Sequence, residues 1–277
     1  MRLSLSVRVA EAPGSKEKTL MPFDKLARLA KRIGYHALCM RASQAGVQTD
    51  PQTITAMRQT LDDLGLAVSM VTGDFAIPMN NEDGPLALRN IEPYLDLAEK
   101  FRAPLIRIAM KKEEDIPWAQ RAADQARERN IRLAHQSHTR SLFETVDGSL
   151  EVLKRVNREN FGIIYEPENL DLCGQDYGPE TIKLFEPYLF NVYLQNHLLH
   201  PNGRSVINTW TRGDVRFDPI RLQDKGGIDF ESVFEGLEAV GYDGYVTVHQ
   251  AFSDIMKPEE AAEQSYEYLT TIAQFED

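Results

Sequence analysis

The sequence predicts a single (β/α)8 barrel spanning residues 1–277. Two observations carry that expectation. Short apolar runs alternate with amphipathic helical segments eight times, at about 35 residues per unit, the spacing of a barrel of ~250 residues. No linker or shift of composition divides the chain, and no G-x-G-x-x-G turn follows the first strand, which disfavours a doubly wound sheet.

Residues 3–9 read as the first strand, followed by a loop with Pro13 and Gly14. The next helix starts near Pro22, buries Leu26, Leu29, Ala30 and Ile33, and stops at Gly34. Residues 36–40 form the second strand and end at Arg41. Asp50 caps a helix with Pro51 in its first turn. Residues 66–71 are the third strand, 85–100 a helix, and 104–110 the fourth strand, which ends in Lys111 and Lys112. After a helix over 116–128, the fifth and sixth strands occupy 131–134 and 161–165. Leu142, Val146, Leu150, Leu153 and Val156 mark the helix between them.

A helix over 179–188 leads to the seventh strand at 190–194, which runs out into Gln195, Asn196 and His197. Residues 198–227 show no clear periodicity and hold Trp210, Arg212, Asp214 and Arg216; a loop that long in a compact domain is usually functional or disordered. A helix from Asp229, a strand over 245–248 ending in His249 and Gln250, and a helix over 258–275 complete the pattern.

The fifth and sixth strands point to a site. Gln136 and His138 follow one, and Glu166 and Glu168 follow the other. Side chains alternate along extended chain, so each pair shares a face. A parallel barrel that delivers such groups from its carboxyl ends is building a catalytic or binding centre.

Composition narrows the partners. A net charge of −11 argues against nucleic acid and against an anionic membrane surface, since both need clustered Lys and Arg. Two cysteines, Cys39 and Cys173, indicate no disulfide framework and a reducing compartment. The N-terminus lacks a long apolar stretch, and no run reaches the ~18 apolar residues of a membrane span, so a cytoplasmic protein is expected.

Three stretches, LAHQSH, GIIYEPENL and GYDGYVTVHQ, together with KGGIDFESVFEGLEAVGYDG, resemble the xylose isomerase-like barrels, often called the sugar phosphate isomerase/epimerase family. The resemblance implies a divalent ion at the carboxyl end, held by a Glu, an Asp, a His and a second Glu. Carried over, these fall on Gln136, Glu166, Tyr193 and His249, with His197 further along the face of Tyr193. Three of the four positions change type. A set of Gln136, Glu166, His197 and His249 would suit one Mn, Fe, Co or Zn per chain better than Mg.

His138, Glu168 and Lys111 are then the candidate proton carriers, and Arg41, Gln195, Trp210, Arg212 and Arg216 the candidate substrate contacts. The implied activity is a metal-dependent isomerase or epimerase acting on a small keto-sugar or polyol. A lyase or dehydratase is the alternative, and a non-catalytic sugar-binding subunit is the reading of another class; self-association as a homo-oligomer is compatible with each.

Overall fold

A computed structural model describes residues 1–276. Seven parallel staves come in chain order: β1 (Arg2–Ser6), β2 (Ala37–Met40), β3 (Ala67–Val71), β4 (Leu105–Ile108), β5 (Arg132–Gln136), β6 (Phe161–Tyr165) and β7 (Leu189–Leu194). An insertion then supplies β8 (His197–Leu199), β9 (Ser205–Thr209) and β10 (Gly213–Pro219) before the last stave, β11 (Tyr245–Val248). β1 pairs with both β2 and β11, which closes the barrel. Helices cover the staves, as parallel strands buried on both faces require. Among the described residues, no helix is long and apolar enough to cross a membrane.

Departures from the expected boundaries have local causes. The first strand stops at Ser6, whose hydroxyl accepts from the Arg8 N–H at 3.3 Å and starts a 3-10 turn over Val7–Ala10. The helix expected over 85–100 splits into Leu86–Arg89 and Glu92–Phe101, because Pro93 has no N–H to continue the ladder. The helix expected from Leu142 begins only at Val146, capped by Thr145, whose hydroxyl accepts from the Gly148 N–H at 3.1 Å. That leaves the chain from Ser137 to Glu144 free to shape the barrel mouth.

The barrel interior is layered. One layer packs Cys39, Met70, Leu105, Ala134, Ile164 and Tyr193 against each other. Two residues further on, the same strand faces carry Arg41, Arg107, Gln136, Glu166 and Gln195. The period of two that builds the apolar layer therefore lifts a polar layer to the carboxyl end.

The stretch without periodicity is a three-stranded antiparallel sheet, ordered β8-β10-β9. Trp210, Thr211 and Arg212 turn β9 into β10, with Gly213 at φ +67° just after the turn. A glycine in the left-handed region is what such a three-residue hairpin demands. Asn196 clips the two ends of this insertion together. Its Nδ2 donates to the carbonyls of Arg221 and Leu222 at 2.9 and 3.2 Å, and its Oδ1 accepts from the Ile228 N–H at 2.9 Å. Gly227 is required beside it, because a Cβ there would collide with Asn196 Oδ1 and the His197 carbonyl.

Candidate active site

A cavity of about 340 Å³ opens at the carboxyl end of the barrel. Gln136, Gln195, His249, Arg41 and Arg107 come to it from strand ends, and Ile207, Phe217 and Pro219 of the inserted sheet wall it. Lys16 reaches in from the loop after β1.

On one side of the mouth, β5, β6 and β7 build an amide-lined carboxylate. Glu166 is fully buried. Its Oε2 accepts from Gln136 Nε2 and Asn169 Nδ2, and its Oε1 accepts from Gln195 Nε2. Burial and the nearby Glu168 push this carboxyl up, the amide donors and Arg8 pull it down, and it settles at about 7. Gln195 passes the contact on, since its Oε1 accepts from Arg8 Nη1 at 2.7 Å. The other end of Gln136, its Oε1, is buried and has no partner among the described residues.

Across the mouth, β1, β2 and β4 supply cations. Arg41 is clamped by both oxygens of Glu11, at 2.7 and 3.2 Å. Its Nη1 lies 3.4 Å from His249 Nε2, and His249 Nδ1 lies 3.2 Å from Ser6 Oγ. A guanidinium cannot accept, so Nε2 holds the lone pair of His249 and Nδ1 the proton. The ring stacks on Tyr193 with centroids 3.6 Å apart. Burial first, then Arg8, Arg41 and Arg107, hold His249 well below the ordinary range and therefore neutral. Arg107 is 4% exposed, its Nε has no partner, and no carboxylate of the described residues pairs with it. Lys16 is half-buried and is pushed down to about 6 by Arg8 first, then by burial and Arg41.

His138 and Glu168 both line the cavity. His138 Nδ1 lies 3.0 Å from the Thr139 carbonyl, an acceptor only, so that nitrogen carries the proton and Nε2 the lone pair. Burial, and then Arg107, push the ring to about 3 and keep it neutral at pH 7. Glu168 sits in the short helix Pro167–Leu172. Its Oε1 is 3.5 Å from His197 Nδ1.

The expected site residues thus divide. Arg41, Gln136, His138, Glu168, Gln195 and His249 line the cavity, and Glu166 stands directly behind its amides. His197 does not join them. Its Nε2 meets Asp171 Oδ2 at 2.8 Å, and although burial lowers this imidazole, Asp171 and Glu168 outweigh it and hold it at about 9. Lys111 Nζ donates to the Asn80 carbonyl at 2.7 Å and lies outside the lining. Trp210 tips the hairpin, 55% exposed. Arg212 donates to the Asp171 carbonyl at 3.3 Å and Arg216 to the Gly203 carbonyl at 3.2 Å, both beside an outer groove of the inserted sheet. Alternation explains Arg216: its neighbour Phe217 takes the cavity face.

Sequence reading missed Arg8, Arg107 and Lys16. For the first two a signal existed, a charge within the apolar runs LSVRVA and LIRIAM, where an unpaired charge is rarely buried. Lys16, in a polar loop, gave none.

The profile of the xylose isomerase-like TIM barrel matches residues 27–272. The chain belongs to that family. Its fold is shared with the probable 3-DHS dehydratase AsbF of Bacillus anthracis, involved in petrobactin synthesis, at 16% identity over 98% of this chain and 99% of that one, with a TM-score of 0.75. A xylose isomerase-like TIM barrel protein from Mycobacterium smegmatis, in complex with magnesium, is 17% identical over 98% and 96% of the two chains, with a TM-score of 0.69. The D-allulose 3-epimerase from Methylomonas sp., in complex with D-allulose, is 16% identical over 99% and 97%, with a TM-score of 0.69. At these identities the likeness is one of fold. No curated protein matches the chain.

The metal that the family implies does not suit the residues present. Among the described residues, no three His, Cys, Asp or Glu side chains are grouped to share one ion. Glu166 spends both oxygens on amide donors, the lone pair of His249 faces Arg41, and His197 is turned to Asp171. Arg8 and Arg107 bring positive charge into the same cavity, beside Arg41 and its partner Glu11. The expected four-ligand set of Gln136, Glu166, His197 and His249 therefore does not assemble as a cation site.

Proposed function

We propose that the protein is an enzyme that moves a proton at the carbon beside the carbonyl of a small keto-sugar-like substrate, as an isomerase or epimerase. The observation that carries this reading is the presence of two proton carriers of different type, His138 and Glu168, on adjoining strand ends of one cavity, across the barrel from Arg41. Neutral His138 offers its Nε2 lone pair to the carbon-bound proton. As that bond breaks, negative charge grows on the carbonyl oxygen. The guanidinium of Arg41, fixed by Glu11 before the substrate arrives, stabilises it. His138 returns the proton to the neighbouring carbon while the adjacent hydroxyl passes its own to the former carbonyl oxygen, which completes an isomerisation. In an epimerisation the proton reaches the opposite face through Glu168 and His138 releases its own to solvent. Glu166 works one layer back, orienting Gln136 and Gln195 towards substrate hydroxyls.

A dehydratase is the second reading, favoured by the different chemical types of His138 and Glu168. His138 would remove the proton beside the carbonyl, and the β-hydroxyl would leave as water with a proton passed through Glu168 from the His197 imidazolium 3.5 Å behind it.

Proton NMR of keto-sugars and keto-sugar acids incubated with the protein in D2O tests both readings. Deuterium beside the carbonyl together with the signals of a new isomer or epimer identifies isomerase or epimerase, and loss of water to an unsaturated product identifies dehydratase. His138→Gln should slow either by roughly 10²-fold or more, the usual scale of a lost acid–base group. Binding without exchange for every compound would sink the enzyme reading and leave a sugar-binding subunit.

A further inference from the structure

Two side chains in this cavity lack partners, and they lack opposite ones. Arg107 is a buried guanidinium with no carboxylate and no acceptor for its Nε, while Gln136 presents a buried carbonyl oxygen with no donor. Burying a charge unpaired is costly, and an unsatisfied carbonyl adds to the cost. A ligand that satisfies both must bring an anionic group to Arg107 and a hydroxyl to Gln136. Arg8, Arg41 and Lys16 line the same cavity; Glu11 offsets Arg41, and the carboxylates of the lining, Glu168 and the exposed rim residue Asp254, are not paired with Arg107. A positive cavity in a chain of net charge −11 is a local construction.

We propose that Arg107, flanked by Arg8, Arg41 and Lys16, binds the carboxylate or phosphate of an anionic polyol, at the barrel end where metal-dependent relatives hold a cation. The proposal rests on reading this cavity as the substrate site, and it assigns the substrate class that the barrel alone leaves open. A guanidinium suits either group, because its fork of donors matches two oxygens at once.

Calorimetric titration of the full chain at low ionic strength with glucitol, D-gluconate and glucitol 6-phosphate tests it, the three probes sharing a polyol chain. At least one anion should bind roughly tenfold or more tighter than glucitol, the scale of a charge-assisted contact. Whichever anion is tighter names the group. Arg107→Gln should abolish the advantage. Arg107→Lys, which keeps the charge but not the fork, should retain part of it and guards against a folding defect. A chelator should leave the affinities unchanged. Equal binding of all three probes, no binding of either anion, an advantage that survives Arg107→Gln, or affinity that requires added Mn²⁺ would overturn the proposal. Anion binding without deuterium exchange in any anionic keto-sugar would sink the enzyme reading alone. Exchange confined to neutral keto-sugars would sink the anion site alone.

Discussion

Arg41 and Arg107 arrive at the barrel mouth by the same route, each two residues beyond a side chain of the inner apolar layer, and both are buried. Their surroundings differ. Glu11 grips Arg41 through both oxygens and Ser43 Oγ donates to the same carboxylate at 2.9 Å, whereas no carboxylate of the described residues pairs with Arg107. One buried cation is neutralised within the chain and belongs to the architecture. The other is left to be neutralised by a molecule from solution, which makes it a recognition element. Paired and unpaired charges of equal burial should therefore respond to mutation with opposite signs.

The largest expected effect is at the paired site. Arg41→Met strands Glu11 in the interior and should lower stability by about 3–5 kcal/mol, measured by urea unfolding. A loss below ~1 kcal/mol would mean that Glu11 does not depend on its partner. His197, held by Asp171 and Glu168, is a second paired cation. Its imidazole sits at about 9 when folded against an ordinary 6.5. A raised value of this kind contributes stability in full below pH 6.5, and that contribution is lost as pH climbs through 9. Thermal melts across this window should show a loss on the order of 3 kcal/mol that His197→Asn flattens.

At the unpaired site the sign reverses. Arg107→Met should raise ligand-free stability by about 1 kcal/mol, because it removes an uncompensated charge, while it destroys anion binding. A destabilised Arg107→Met would show that a partner inside the chain had been holding this guanidinium. The smallest effect lies outside the barrel mouth. Trp210→Ala, at the exposed hairpin tip, should change stability by no more than about 0.5 kcal/mol and leave deuterium exchange intact. A large loss of exchange there would extend the site beyond the cavity.

The eight staves were legible because strands buried on both faces appear as near-continuous apolar runs, and Gln136, Glu166 and His249 because each lies within two residues of the end of such a run. The same rule hid Arg107. Following the apolar run to its end led to Lys111, whose amine is spent on the Asn80 carbonyl, while the guanidinium that enters the cavity lies within the run. His197 was placed by extending the alternation of β7, but β7 ends at Leu194 and the chain turns into β8, so the face is lost before His197. The inserted sheet escaped notice because β9 alternates between half-buried and exposed residues, too little burial to leave a period of two in the sequence. Trp210 and Arg212 looked like site residues only while that segment passed for a loop.

The Asn196 clip has a consequence for how such a barrel changes its diet. Because one side chain ties both ends of the insertion together, the segment from His197 to Ile228 is a cassette with a fixed doorway, and its interior can lengthen, shorten or be exchanged without moving a stave. Ile207, Phe217 and Pro219 are the parts of that cassette that face the cavity, whereas Arg41, Arg107, Gln136 and His249 below are rooted in the strand ends. On the function proposed above, length discrimination and chemistry fall on separate pieces of chain. A descendant of this protein can acquire a longer or shorter substrate by redrafting one and leaving the other untouched.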